Sequence, residues 1–191
     1  MQHRVYLAGP DVFMPDPVAR AAALKAVCTR HGLVAVSSLD ALADEPAHWA
    51  SLSEACRIAR RNEAHIRASH AIIANLTPFR GPGADAGTVY EVGFGRALGL
   101  PVFGFTTLAQ DYATRVRCLP GCGAARDADG LEIEDFGLFE NLMIACAIAE
   151  SGGAIVADAV DRWSDLTVFE RCVAQAAKVL GGRTMPREPD A

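Results

Sequence analysis

Short apolar runs alternate along this chain with longer segments in which apolar residues recur at helical spacing. Residues 4–9, RVYLAG, form an apolar run ending in Gly-Pro, the pattern of a buried strand entering a loop. Asp16 and Pro17 read as a helix cap and first turn ahead of the alanine-rich VARAAALKAVCTR, and Gly32 closes that helix. LVAVSS is a second strand, residues 51–69 have helical composition and period, and HAIIANL at 70–76 is a third strand. The loop TPFRGPGAD leads into a helix holding Glu91, and LPVFGF at 100–105 is a fourth strand. The stretch beyond it, with Pro120, Gly121, Gly123 and Gly130, is too polar and glycine-rich for core and reads as irregular. A helix over about 138–150, a strand near GAIVA and a helix over about 165–180 complete the pattern. Strands alternating with helices predict an α/β fold, a parallel sheet covered by helices on both faces.

Length and composition narrow this further. At 191 residues, with 51% hydrophobic and 21% charged residues, residues 1–183 are expected to form a single domain, and the tail TMPREPDA at 184–191 to be disordered. A net charge of -5 with no Lys/Arg-rich run argues against a nucleic-acid partner. No apolar run approaches the roughly 20 residues that span a bilayer, and the apolar stretch in MQHRVYLAGPDVF is too short for a signal peptide; a cytoplasmic protein acting on small molecules is expected. The six cysteines are mostly isolated within helical patterns and read as small core residues. Cys118 and Cys122, in CLPGC, are close together but lack a second pair or a suitable histidine spacing, so no metal is assigned.

Candidate chemistry lies in the loops that follow the strands, because ligands of doubly wound sheets bind beyond the carboxyl ends of the strands. Those loops contain Phe13, Phe79, Arg80 and Asp85, the last six residues before Glu91. Glu91 itself stands among Gly87, Gly93 and Gly95 in an otherwise apolar helix. Glycine inside a helix costs about 1 kcal/mol relative to alanine, so this backbone is expected to approach something closely, either a ligand or a neighbouring element. Gly93, Gly95 and Gly99 faintly resemble a dinucleotide fingerprint, but they fall within the helix rather than at a strand-to-helix turn. Glycosyl chemistry suits the residues better: a carboxylate attacks an anomeric carbon, aimed by a hydrogen-bond donor such as the Tyr6 phenol, while a second polar group serves the leaving group. The bland readings stand beside it. Asp85 can cap the helix, Tyr6 can be an ordinary strand aromatic, and Glu91 can face solvent.

VYLAGPDVFMPD, RRNEAHI, the run AIIANLTPFRGPGADAGTVYEVGFGRALGLPVFGF and EDFGLFENLMI, in this order over most of residues 4–146, resemble the nucleoside 2-deoxyribosyltransferases. The resemblance implies a flavodoxin-like doubly wound parallel sheet. It also implies transfer of a 2-deoxyribosyl group between nucleobases in nucleoside salvage, with deoxynucleosides and free bases as ligands and no metal or organic cofactor. By motif position, Glu91 matches the nucleophile that forms a covalent glycosyl intermediate, Tyr6 the tyrosine that orients it, and Asp85 an aspartate that contacts the nucleoside and handles the leaving base. Gly9, Phe13, Asn62, Phe79 and Gly87 fall on the implied substrate-binding surface. Asn141 and Met143 of NLM match residues that a neighbouring subunit inserts, which implies at least a homodimer with shared sites.

Some branches of the family carry aspartate at the position of Asn62, which helps protonate the base; the amide here leaves that work to Asp85. A related nucleotide hydrolase carries serine where this chain has Asn141, so the amide, together with the expected absence of a basic pair nearby, favours an uncharged nucleoside over a phosphate. His70 stands where relatives often show aspartate and reads as structural. His48, Trp49 and the last forty residues match no motif. Two rivals to a transferase use the same pocket: a hydrolase that releases free sugar from a deoxynucleoside or nucleotide, and a nucleotide sensor without turnover.

Overall fold

A computed structural model describes residues 2–182. Five parallel strands, β1 (His3–Ala8), β2 (Leu33–Ser37), β3 (Ala71–Asn75), β4 (Val102–Thr106) and β5 (Ile155–Ala157), form one sheet in the order β2-β1-β3-β4-β5. The helices are α1 (Pro17–Arg30), α2 (Glu54–Arg67), α3 (Ala86–Ala97), α4 (Tyr112–Arg117), α5 (Leu142–Glu150) and α6 (Thr167–Gly181). This is the flavodoxin-like doubly wound arrangement.

The period-two pleat divides the core. Val5, Leu7, Ile73, Phe103 and Phe105 face one side, where they pack with Leu24 and Val27 of α1 and Val168, Phe169 and Cys172 of α6. Tyr6, Ala8, Ile72, Ala74 and Val102 face the other, with Ile66 of α2, Val92 of α3 and Ile148 of α5. From β1 the chain winds to β2 on one side and later to β3 on the other, so right-handed crossovers put α1 and α2 on opposite faces. The carboxyl ends of β1 and β3 therefore part at a topological switch point, where a doubly wound sheet opens a crevice.

Several elements differ from the sequence reading. Residues 10–13 and 47–51 form 3-10 turns. The stretch after β4, expected to be irregular, contains α4, started by an Asp111 carboxylate that accepts from the Thr114 amide at 2.7 Å. The helix expected from 138 begins at Leu142, because Asn141 caps it and the preceding apolar residues are bound elsewhere: Leu138 O accepts from the Tyr112 amide. The forty C-terminal residues without a motif include α6, whose buried face closes the sheet's first side.

The expected tail at 184–191 lies outside the described residues. His70 is structural: its amide donates to Arg4 O and its Nδ1 accepts from the Arg4 amide. Trp49 is buried at the second 3-10 turn, with the Arg60 guanidinium 5.9 Å from its ring centroid and the His48 ring edge-on to it. Among the described residues no helix is long and apolar enough to cross a membrane.

Candidate active site

An open cleft of about 670 Å³ lies at the switch point, walled by β1, the turn after it, the loop after β2, α2 and the first turns of α3. Its floor is the side chain of Tyr6, which the pleat turns toward α3 and which is fully buried. The Tyr6 hydroxyl donates to Glu91 Oε1 at 2.6 Å, and Asn62 Nδ2 of α2 reaches the same oxygen at 3.4 Å. Both donors meet one oxygen of the carboxylate and leave Oε2 unengaged among the described residues.

Burial pushes the Glu91 carboxyl up to about 7; the Tyr6 hydrogen bond opposes this, the Asp85 charge adds to it, and the Asn62 bond opposes it weakly. Burial, followed by the adjacent Glu91 charge and hydrogen bond, raises the Tyr6 hydroxyl above its ordinary range, so it stays a proton donor. A half-buried carboxylate pinned on one oxygen and free on the other can act as a nucleophile or as a general base.

Asp85 fulfils its bland reading while still lining the cleft. Its Oδ2 caps α3, accepting from the Thr88 amide at 3.0 Å and the Thr88 hydroxyl at 3.2 Å, and Oδ1 makes no hydrogen bond among the described residues. The glycines around Glu91 divide by purpose. A Cβ at Gly87 would stand 3.0 Å from Asp85 Oδ2, and one at Gly95 would stand 2.2 Å from Ile72 Cδ1, so the helix needs Gly95 to lie close on β3. Gly93 faces open space and has no such reason.

Gly9 and Phe13 line the same cleft; at Gly9 a side chain would meet Asp11 and Asn75, which are joined by an Asn75 Nδ2 to Asp11 hydrogen bond of 2.9 Å. Asp11 also accepts from Arg20 Nε at 2.7 Å, a brace beneath the Phe13 turn whose partners are too distant in sequence to be read from motif spacing. Phe79 does not line this cleft. It lies behind Phe13, their rings stacked at 5.4 Å under the Arg80 guanidinium, and faces a smaller crevice with Pro10, Met14 and Trp163. Asn141 and Met143 are likewise absent from the walls of their own chain's cleft. Asn141 caps α5 and donates to Glu134 Oε2 at 2.6 Å, while Met143 is 72% exposed.

The expected lack of a basic pair is overturned. Arg57 and Arg61, one turn apart on α2, line the cleft beside Asn62, each giving Nε and Nη2 to one oxygen of Glu45 at 2.6–3.1 Å. They lie far in sequence from the strand-end loops, and only the winding of α2 presents positions 57, 58, 61 and 62 to one wall. Cys118 is exposed and Cys122 half-buried, and among the described residues no three His, Cys, Asp or Glu side chains gather as for a metal.

A family model described as nucleoside 2-deoxyribosyltransferase matches residues 5–143. A 2-desoxiribosyltransferase from Leishmania mexicana superposes with a TM-score of 0.66 at 30% identity, covering 92% of this chain and 97% of its own. A conserved protein from Enterococcus faecalis, at 21% identity and a TM-score of 0.57 over 92% of this chain and 99% of its own, shares the fold. An uncharacterized protein of Schizosaccharomyces pombe is 33% identical over 172 residues, 81% of each chain. The match spanning the cleft, from Tyr6 through Glu91 to the NLM segment, places this chain in the nucleoside 2-deoxyribosyltransferase family.

Proposed function

We propose that the chain transfers a 2-deoxyribosyl group between nucleobases through a covalent ester on Glu91. The observation that carries this reading is the Glu91 carboxylate held on one oxygen by the Tyr6 phenol in an open cleft. In the first step Oε2 attacks C1′, the C1′–N bond breaks, and its electron pair leaves with the base, whose nitrogen takes a proton. Asp85, with Oδ2 engaged by the cap, relays that proton from solvent through Oδ1. In the second step a nitrogen of an incoming base attacks C1′, its proton leaves through Asp85 to solvent, and the ester bond breaks to restore the Glu91 carboxylate. Water in place of the base gives hydrolysis. Asn141 and Met143 serve the cleft of a neighbouring copy, a role suited to a methionine that its own chain leaves in solvent.

The Arg57 and Arg61 pair favours a second reading, a nucleotide substrate whose phosphate takes the place of Glu45 between the two guanidiniums. One assay addresses both. Incubation with deoxyinosine and adenine is expected to yield deoxyadenosine, and free deoxyribose alone would sink transfer in favour of hydrolysis. Substrate binding without consumption at high enzyme concentration would identify a sensor. Faster consumption of deoxyinosine 5′-monophosphate, abolished in Arg57→Ala/Arg61→Ala, would establish the second reading.

A further inference from the structure

We infer that Arg115 and Glu140 are positioning residues, a buried ion pair that holds the Asp85 loop and the Asn141 segment in one fixed relation. The inference rests on the proposed roles of Asp85 and Asn141. Neither residue of the pair lines the cleft, and their side chains are only 4% and 2% exposed, at a contact of 2.7 Å.

The pair fastens three segments of irregular backbone. Arg115 donates from Nε to Pro82 O at 2.7 Å, from Nη1 to Gln110 O at 3.1 Å, and from Nη2 to Phe139 O at 2.6 Å and to the Glu140 carboxylate. The Glu140 carboxylate lies beside the backbone amides of Ala84 and Asn141, which favour its charged form. Ala84 immediately precedes Asp85, the cap of the helix bearing Glu91, and Asn141 is the cap of α5. One ion pair, through the Arg115 bonds to Pro82 and Phe139, therefore ties together both loops that deliver polar groups to the proposed chemistry, the first to this chain's own cleft and the second to the surface offered to a neighbour.

A buried ion pair is weak evidence of stability, because desolvation offsets much of the attraction. What this pair supplies is direction: a planar guanidinium held by a carboxylate satisfies three backbone carbonyls at set angles that an apolar pair could not. Misplacing a catalytic group by about 1 Å costs on the order of a hundredfold in rate, so loosening these loops is expected to slow chemistry before it abolishes binding.

The test is covalent labelling of Glu91 by a mechanism-based 2-fluorinated arabinosyl nucleoside, together with steady-state base exchange, in Glu140→Gln and Arg115→Lys. Gln keeps one acceptor oxygen but replaces the other with a donor; Lys keeps the charge but loses the fork. In both variants all folded chains are expected to label, at a rate about tenfold to a hundredfold below wild type, with the KM for the acceptor base little changed. A merely structural role would shrink the labelled fraction and leave the rate of the remaining chains at the wild-type value, and that result overturns the inference. Should the variants not fold, hydrogen exchange of the wild-type chain decides: the Arg115 Nε–H, bonded to Pro82 O, must exchange far more slowly than those of exposed arginines, and fast exchange there refutes the clasp. A wild-type chain that neither labels nor turns over sinks the transferase reading, while its exchange pattern still judges the pair.

Discussion

The chemistry proposed for Glu91 has a cost in stability that can be measured. Its carboxyl titrates near 7 in the fold against 4.5 in the open chain, so the folded state holds an extra proton between those values. Stability contributed by the protonated form is present below about 4.5 and is lost as pH rises through 7. Glu91→Gln removes the titration while keeping an acceptor for the Tyr6 hydroxyl. The variant is expected to lose base exchange yet to melt above wild type at pH 8, by an amount on the order of 1–3 kcal/mol, with the gap closing as pH falls toward 4.5. Equal melting temperatures across that range would show that the buried charge is not strained. In the wild type, the rate of labelling should rise with pH through about 7, since only the carboxylate attacks.

At the scale of elements, α3 sets how Glu91 meets Tyr6, and two of its glycines make opposite predictions. Gly95→Ala drives a methyl group into Ile72 of β3 and is expected to cost about 1–3 kcal/mol, and to slow labelling by lifting the helix from the sheet. Gly93→Ala, in open space two residues away, is expected to gain up to about 1 kcal/mol by helix propensity alone. Thermal melts of the two variants check both signs; matching losses would mean that the close approach to β3 is not what selects Gly95. The elements that escaped the sequence reading share a cause. α4 is six residues long in a glycine-rich stretch, and its signal was the Asp111-to-Thr114 spacing of a helix cap rather than any apolar period. Leu138 and Phe139 look helical by hydrophobicity but give their carbonyl groups to Tyr112 and Arg115.

For the whole molecule, the central question is whether one chain completes its own cleft. Asn141 and Met143 are absent from the walls around Glu91, and Met143, Phe136 and Leu131 are 72%, 66% and 65% exposed. If these residues serve a neighbour, mixing Glu91→Ala chains with Asn141→Ala chains restores part of the activity, because hybrid dimers hold one cleft with both groups intact. No recovery, with chain exchange verified by mass, would count against a shared site.

The order of the strands and of the helices other than α4, the parallel sheet and the region of the cleft follow from sequence alone, because burial on both faces writes short apolar runs and strand ends must be loops. The neighbourhood of Asp85 and Glu91 was legible for the same local reason: a cap and a residue two turns into its helix keep fixed spacing. Tertiary structure alone decided what met across distance. It placed Arg57 and Arg61 on the cleft wall, sent Phe79 behind Phe13, and closed Arg115 on Glu140, 25 residues away. A side chain's partner depends on how helices wind over the sheet, and sequence spacing carries no record of that beyond a few turns.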